Sequence, residues 1–284
     1  MSPLIEQEAN LNPSGDVTSL AHWVDKDSID TSHGIVLYIE NLNVKFGNFQ
    51  AINNLSLYIK EGELRCIIGP NGAGKTTLMD VITGKTSSHN ATITGSAYLG
   101  QTHNLLTLDE PRIAQLGIGR KFQKPSVFEA LSVWENLLLA CEGDRSWSHN
   151  LVSSITPHNL QLMNQTLSTM KLEAQAYRFA GELSHGQKQR LEIGMLLMQK
   201  PQVLLLDEPV AGMSDDETAM LATILNDIKG SCSIVVIEHD MGFVSSLAGE
   251  HGTVTVLAAG AVLAEGNMQA VQADEQVIES YLGR

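Results

Sequence analysis

Basic residues are scarce in this chain: 18 Lys and Arg stand against 32 Asp and Glu among 284 residues, a formal net charge of −14. Phosphate backbones are gripped through clustered Lys and Arg, and no such cluster occurs, so nucleic acid is excluded as an expected partner. Cysteine is scarce too. Cys66, Cys141 and Cys232 are odd in number and widely spaced. They fit buried or incidental thiols in a reducing compartment rather than a disulfide framework or a zinc site. Cys66, inside an apolar run, reads as a small core residue. Long apolar runs are missing. The longest candidate, 254–264, contains Gly260 and falls short of the ~20 residues that a membrane-spanning helix needs. No basic segment leads into an apolar stretch at the N-terminus, so no secretory signal is read and a cytoplasmic address is expected. No internal repeat is found. The remaining composition, 43% hydrophobic and 18% charged, is ordinary for a globular chain able to bury a core.

Residues 1–34 stand apart, with six acidic residues, one lysine, Pro3 and Pro13 and no sustained periodicity. They read as a flexible acidic extension, in which a short helix around 19–25 would account for Trp23. The folded domain is expected over 35–284. Segments 35–39, 44–46 and 55–59 are strand-like, with a turn at Gly47-Asn48, and 92–94 and 97–99 are further short strands. Residues 126–200 read as a helical lobe. Ser132 and Glu135 form a capping box there, 160–170 has a moderate helical period, and Ser184 with Gln187 caps a helix running to Lys200 before Pro201. The short apolar runs 203–207 and 234–237 suit parallel strands buried on both faces. Asp215, Asp216 and Glu217 favour the start of a helix that Gly230 closes. Another helix begins near Met241, and a hairpin turns around Gly260. The expected fold is an α/β core with an antiparallel β lobe and an inserted helical lobe.

The stretch Gly69-Pro70-Asn71-Gly72-Ala73-Gly74-Lys75-Thr76-Thr77 joins an apolar strand to a helix. That is the setting of a phosphate-binding loop. Glycines let the backbone wrap a phosphate, and N–H groups at the helix N-terminus point at the anion. Lys75 then reaches the β- and γ-phosphates, and Thr76 offers its hydroxyl to Mg²⁺. Downstream, 203–206 ends in Asp207, an acid placed to hold Mg²⁺ from a strand expected beside the phosphate-loop strand. Glu208 follows as the candidate general base for water attacking the γ-phosphate.

Leu183-Ser184-His185-Gly186-Gln187 closely resembles the LSGGQ signature of ATP-binding-cassette ATPases, with His185 in place of the first glycine. The resemblance runs from Ile35 to the C-terminus. It implies a P-loop ATPase domain that uses ATP and Mg²⁺. It places Gln123 in the Q-loop, sensing γ-phosphate and Mg²⁺, and His239 as the switch histidine. Phe46 falls where the family stacks an aromatic on adenine, and 211–214 falls at the D-loop, where Ser214 stands in place of the aspartate of many members. It further implies head-to-tail pairing of two cassettes, in which Ser184, Gly186 and Gln187 meet the nucleotide held by the other. Gly117-Ile118-Gly119-Arg120-Lys121-Phe122-Gln123 and Glu192-Ile193 look like the ATPases of branched-chain amino-acid importers. Lys124-Pro125, Lys188-Gln189 and the ending 277–284 look most like the urea-importer group. The implied partners are a second, different cassette subunit, two permease subunits and an external binding protein, at the cytoplasmic face of the inner membrane. Urea is the expected solute and branched-chain amino acids the alternative. A soluble cassette acting on DNA or ribosomes is disfavoured, because it predicts tandem cassettes, zinc cysteines or basic patches.

Overall fold

The computed structural model describes residues 29–87, 89–121, 126–141 and 156–282. Two sheets organise them. In the first, β1 (Ile35–Phe46) pairs antiparallel with β2 (Phe49–Lys60) across the Gly47-Asn48 turn. Asn41 interrupts the register with φ 50°. Asn43 donates to the Asn41 carbonyl at 2.8 Å and accepts from the Asn54 amide at 2.9 Å. The polar residues that read as a gap between two short strands are therefore a β-bulge inside one long strand. Ile29 is buried, the Thr31 hydroxyl donates to Glu61, and the Gln101 amide donates to Ser32. The packed body thus begins at least six residues before Ile35.

The second sheet holds β3 (Leu64–Ile68), whose five residues are all buried. From it the chain enters α1 (Lys75–Ile82). It then returns to the first sheet as β4 (Thr92–Leu99) and β5 (His103–Asn104), which complete the order β2-β1-β4-β5. After α2 (Glu110–Gln115), the edge strand β6 (Ile118–Lys121) joins the second sheet. The helical lobe follows as α3 (Val133–Ala140), α4 (Pro157–Thr169) and α5 (His185–Leu197). Ser132 and Ser184 cap α3 and α5 through the expected capping boxes. Next come β7 (Val203–Asp207), α6 (Asp215–Ile228), β8 (Ser233–Ile237) and α7 (Met241–Ala248). The hairpin β9 (Thr253–Ala258) and β10 (Ala261–Gly266) precedes two short helices. These are α8 (Met268–Ala273) and α9 (Glu275–Leu282), split at Asp274.

The second sheet runs β10-β9-β3-β8-β7-β6. Strand β7 is therefore not beside β3, as expected; β8 lies between them and pairs parallel with both. The period of two explains the core. Ile67, Leu205, Val235 and Ile237 face the antiparallel sheet and α1, whereas Cys66, Ile68, Leu204, Leu206, Ile234 and Val236 face the helices. Burial pushes the Cys66 and Cys232 thiols up to about 12, so both are inert core residues. Among the described residues no helix is long and apolar enough to cross a membrane.

Candidate functional site

The carboxyl ends of β3, β7 and β8 open on one crevice, the usual ligand edge of a parallel sheet. It holds a cavity of about 190 Å³ that brings together residues 71–77 with Asp207, Glu208 and Ile237. Gly74 precedes α1 with φ 98°, and a Cβ there would lie 2.8 Å from the Ala51 carbonyl oxygen. Only glycine fits that conformation and approach. Gly69 and Pro70 open the loop. Their carbonyls accept from Lys75 Nζ at 2.6 and 3.0 Å. Burial pulls the Lys75 ammonium below its ordinary range, opposed by Glu208 and then Asp207. Thr76 and Thr77 line the same cavity, with Thr76 exposed to an incoming ligand.

Burial raises the Asp207 carboxyl, and Arg120 opposes the shift most. Arg120 leaves the end of β6 and reaches Asp207 at 3.3 Å and Asp80 on α1 at 2.5 Å. Its side chain is 5% exposed. This bridge ties the helix after the phosphate loop to the β7 acid. Replacing Arg120 with Met removes the cation that most opposes the effect of burial on Asp207, so its carboxyl is expected to titrate higher still. The acid limb of the hydrolysis–pH profile should therefore move upward, and raising the pH should recover part of the lost rate. An unshifted limb in a kcat–pH titration would contradict the role given to the bridge.

Glu208 occupies the left-handed region at φ 45°, where its amide donates to the Ile237 carbonyl at 2.9 Å. Glu208 Oε1 lies 3.7 Å from His239 Nδ1. Between these residues sits Glu238, buried at the end of β8. It accepts from the amides of Val210 (3.2 Å) and His239 (3.0 Å), while burial raises its carboxyl. At the hairpin of the antiparallel sheet Phe46 pairs with Phe49. It is Phe49, 64% exposed, that lines the cavity. Gln123 lies outside the described residues.

The signature residues are not part of this cavity. Ser184 caps α5, with its Oγ accepting from the Gln187 amide at 3.2 Å and donating to Glu217 at 2.8 Å. The Gln187 side chain accepts from the Ser184 amide at 3.0 Å. His185 Nε2 lies 3.0 Å from the Ala211 carbonyl oxygen. Ser214 caps α6 through its own box with Glu217, a task for which serine and aspartate are both suited.

Sequence reasoning missed Arg120 as a partner of Asp207, and also Asp80, Glu238, Phe49 and Glu217. A second buried charged pair occurs nearby. Lys121, fully buried, faces Glu192 on α5 at 4.0 Å, and burial raises the Glu192 carboxyl to about 7.

A glycine-rich loop at a helix N-terminus, an acid-ended buried strand, and an antiparallel β lobe with a helical insert define a nucleotide-binding ATPase of cassette architecture. The profile of the ABC transporter family matches residues 52–211. That of the branched-chain amino acid ATP-binding cassette transporters matches residues 261–284. The chain belongs to the ATP-binding subunits of ABC transporters, in the branched-chain amino-acid group, and is an ATP-hydrolysing transport ATPase. It is 32% identical over 259 residues to the high-affinity branched-chain amino acid transport ATP-binding protein BraF of Pseudomonas aeruginosa, covering 87% of this chain and 98% of that protein. It is 33% identical, with the same coverage, to LivG of Salmonella typhimurium. A nucleotide-free ATP-binding cassette superposes with a TM-score of 0.72 at 28% identity, covering 88% of this chain and all of that one. The ADP conformation of the ATP-binding cassette MJ1267 gives 0.72 at 30% identity, covering 88% and 99%.

Proposed function

We propose that this chain powers the import of branched-chain amino acids. It would do so as one cassette of a heterodimer on two permease subunits, fed by an external binding protein, at the cytoplasmic face of the inner membrane. The observation that carries the ATPase half of this reading is the convergence of Lys75, Thr76, Asp207 and Glu208 on one cavity. The full-length similarity to BraF and LivG supports the solute and moves the expectation away from urea.

In the proposed cycle the amides of 71–77 and the Lys75 ammonium bind the β- and γ-phosphates at the N-terminus of α1. Phe49, with Phe46 beside it, offers an apolar surface to the base. The Thr76 hydroxyl and the Asp207 carboxylate are hard oxygen donors of the kind Mg²⁺ takes, and Gln123 follows from the family resemblance. When bound there, Mg²⁺ would neutralise charge on the phosphates. Glu208, oriented by its backbone and by His239, takes the proton of the attacking water. Ser184, Gly186 and Gln187 meet the γ-phosphate held by the opposite cassette. Loss of the γ-phosphate then removes that bridge and opens the dimer.

Uptake of labelled leucine and labelled urea, side by side, tests the reading in cells lacking this protein. Leucine uptake restored by wild type and not by Glu208→Gln is the expected result. Restoration of urea uptake alone would keep the ATPase and overturn the solute. Restoration of neither would overturn both solutes.

A further inference from the structure

Ser184 has one hydroxyl proton, and in this structure it is already spent on Glu217. The Glu217 carboxylate comes from the first turn of α6, 33 residues away, and lies on the first turn of α5. Its Oε1 accepts from Ser184 Oγ at 2.8 Å, and its Oε2 accepts from the Ser214 amide at 3.2 Å. A Cβ on Gly186 would meet the carboxylate carbon and Oε1 at 2.5 Å, so the carboxylate rests against the Gly186 backbone. The bond from Ser184 above all holds this carboxyl below its ordinary range, so it is ionised at neutral pH. The contact of His185 with Ala211 at 3.0 Å closes the same seam one residue on.

We propose that Glu217 is an internal counter-anion of the signature. It occupies the seat at the N-terminus of α5 that the γ-phosphate of the opposite cassette must take, and so sets the ATP concentration at which the two cassettes close. The inference rests on the functional reading above, which gives Ser184 and Gly186 their phosphate. A carboxylate and a phosphate cannot share one hydroxyl proton and one set of helix-terminal amides. Their charges repel at contact distance. Closure therefore has to turn the Glu217 side chain off Ser184, and that cost falls on the step that engages ATP across the interface. Glu217 is a positioning residue acting through Ser184, with no contact to the phosphate of its own loop.

Glu217→Gln separates this role from a structural one. Glutamine at the third helical position preserves the capping box with Ser214, so the melting temperature should stay close to wild type, but the negative charge is gone. The measurement is hydrolysis against ATP concentration by the importer complex purified through a tag on the full-length chain. Half-saturating ATP should fall about five- to tenfold, with kcat changed less than twofold. Inhibition by ADP, which brings no γ-phosphate, should be unchanged. An unchanged or higher half-saturating ATP in Glu217→Gln would overturn the proposal. A parallel fall for ADP would also overturn it, since the effect would then lie in the nucleotide's own loop. Glu208→Gln in the same complex keeps the two readings apart. If that variant still hydrolyses ATP, the assignment of the site fails. If it is dead while Glu217→Gln behaves as wild type, only the counter-anion fails.

Discussion

Glu208→Gln is expected to lower ATP turnover by about 10²–10⁴-fold, the usual contribution of a positioned proton acceptor, while ATP binding persists. The geometry gives the reason. Glu208 is held in the left-handed region at φ 45°, a conformation that costs a non-glycine residue about 1–2 kcal/mol. Its amide bond to the Ile237 carbonyl keeps it there, and the side chain is left facing the cavity beside Lys75 and Asp207. Glutamine matches the shape but cannot take a proton from water. The variant should therefore bind ATP, pair with its partner and stall, so that size-exclusion chromatography with ATP shows an accumulated closed dimer. Turnover within tenfold of wild type would remove Glu208 from the role of base. Glu208→Gly should be equally inactive and, having no Cβ to strain, no less stable.

The second large effect is expected for Lys75→Ala. The ammonium spans the loop through two carbonyl contacts, to Gly69 and Pro70. Burial already pulls its pKa down against the pull of two acids. Phosphate oxygens are stronger partners than carbonyls for a half-buried cation, because charge-assisted hydrogen bonds are roughly twice as strong as neutral ones. Loss of one such contact, with two loop carbonyls left without their donor, should weaken ATP binding by roughly 10²-fold. The readout is thermal. Wild type at an ATP concentration a hundred times its dissociation constant gains about 2.7 kcal/mol of stability, and Lys75→Ala at the same concentration should gain only about 0.4 kcal/mol, with a correspondingly small rise in melting temperature. A full ligand-induced shift in Lys75→Ala would contradict the assignment.

What was legible in the sequence is what lies contiguous in it. The phosphate loop, the acid pair at 207–208 and the caps at Ser132 and Ser184 each fit within ten residues, so spacing alone carries them. The Arg120 bridge was not legible, because its acids lie 40 and 87 residues away and meet only once β6 has joined β7. Strand β6 itself has four residues, two of them basic and one glycine, and so offers no apolar run to read. Phe46 and Phe49 flank the same turn three residues apart, and that Phe49 lines the cavity follows from the hairpin's placement, which the pattern of apolar residues does not reveal. The order of the parallel strands was misplaced by one, since 203–207 and 234–237 are equally apolar and nothing local says which lies beside β3. Gln123 and the expected extension before residue 29 fall outside the described residues.

The position of β8 between β3 and β7 has a consequence for how such proteins can be recombined. The Glu208 amide bonds to Ile237, and Glu238 holds the amides of Val210 and His239. The backbone that aims the acid of one strand is thus fastened to residues of the next. A chimaera joined between β7 and β8 would pair two halves fitted to different neighbours, and the damage would fall on catalysis before it reached folding. Crossovers among relatives should therefore spare 203–240 and pass it on as a single block, whatever happens to the lobes on either side.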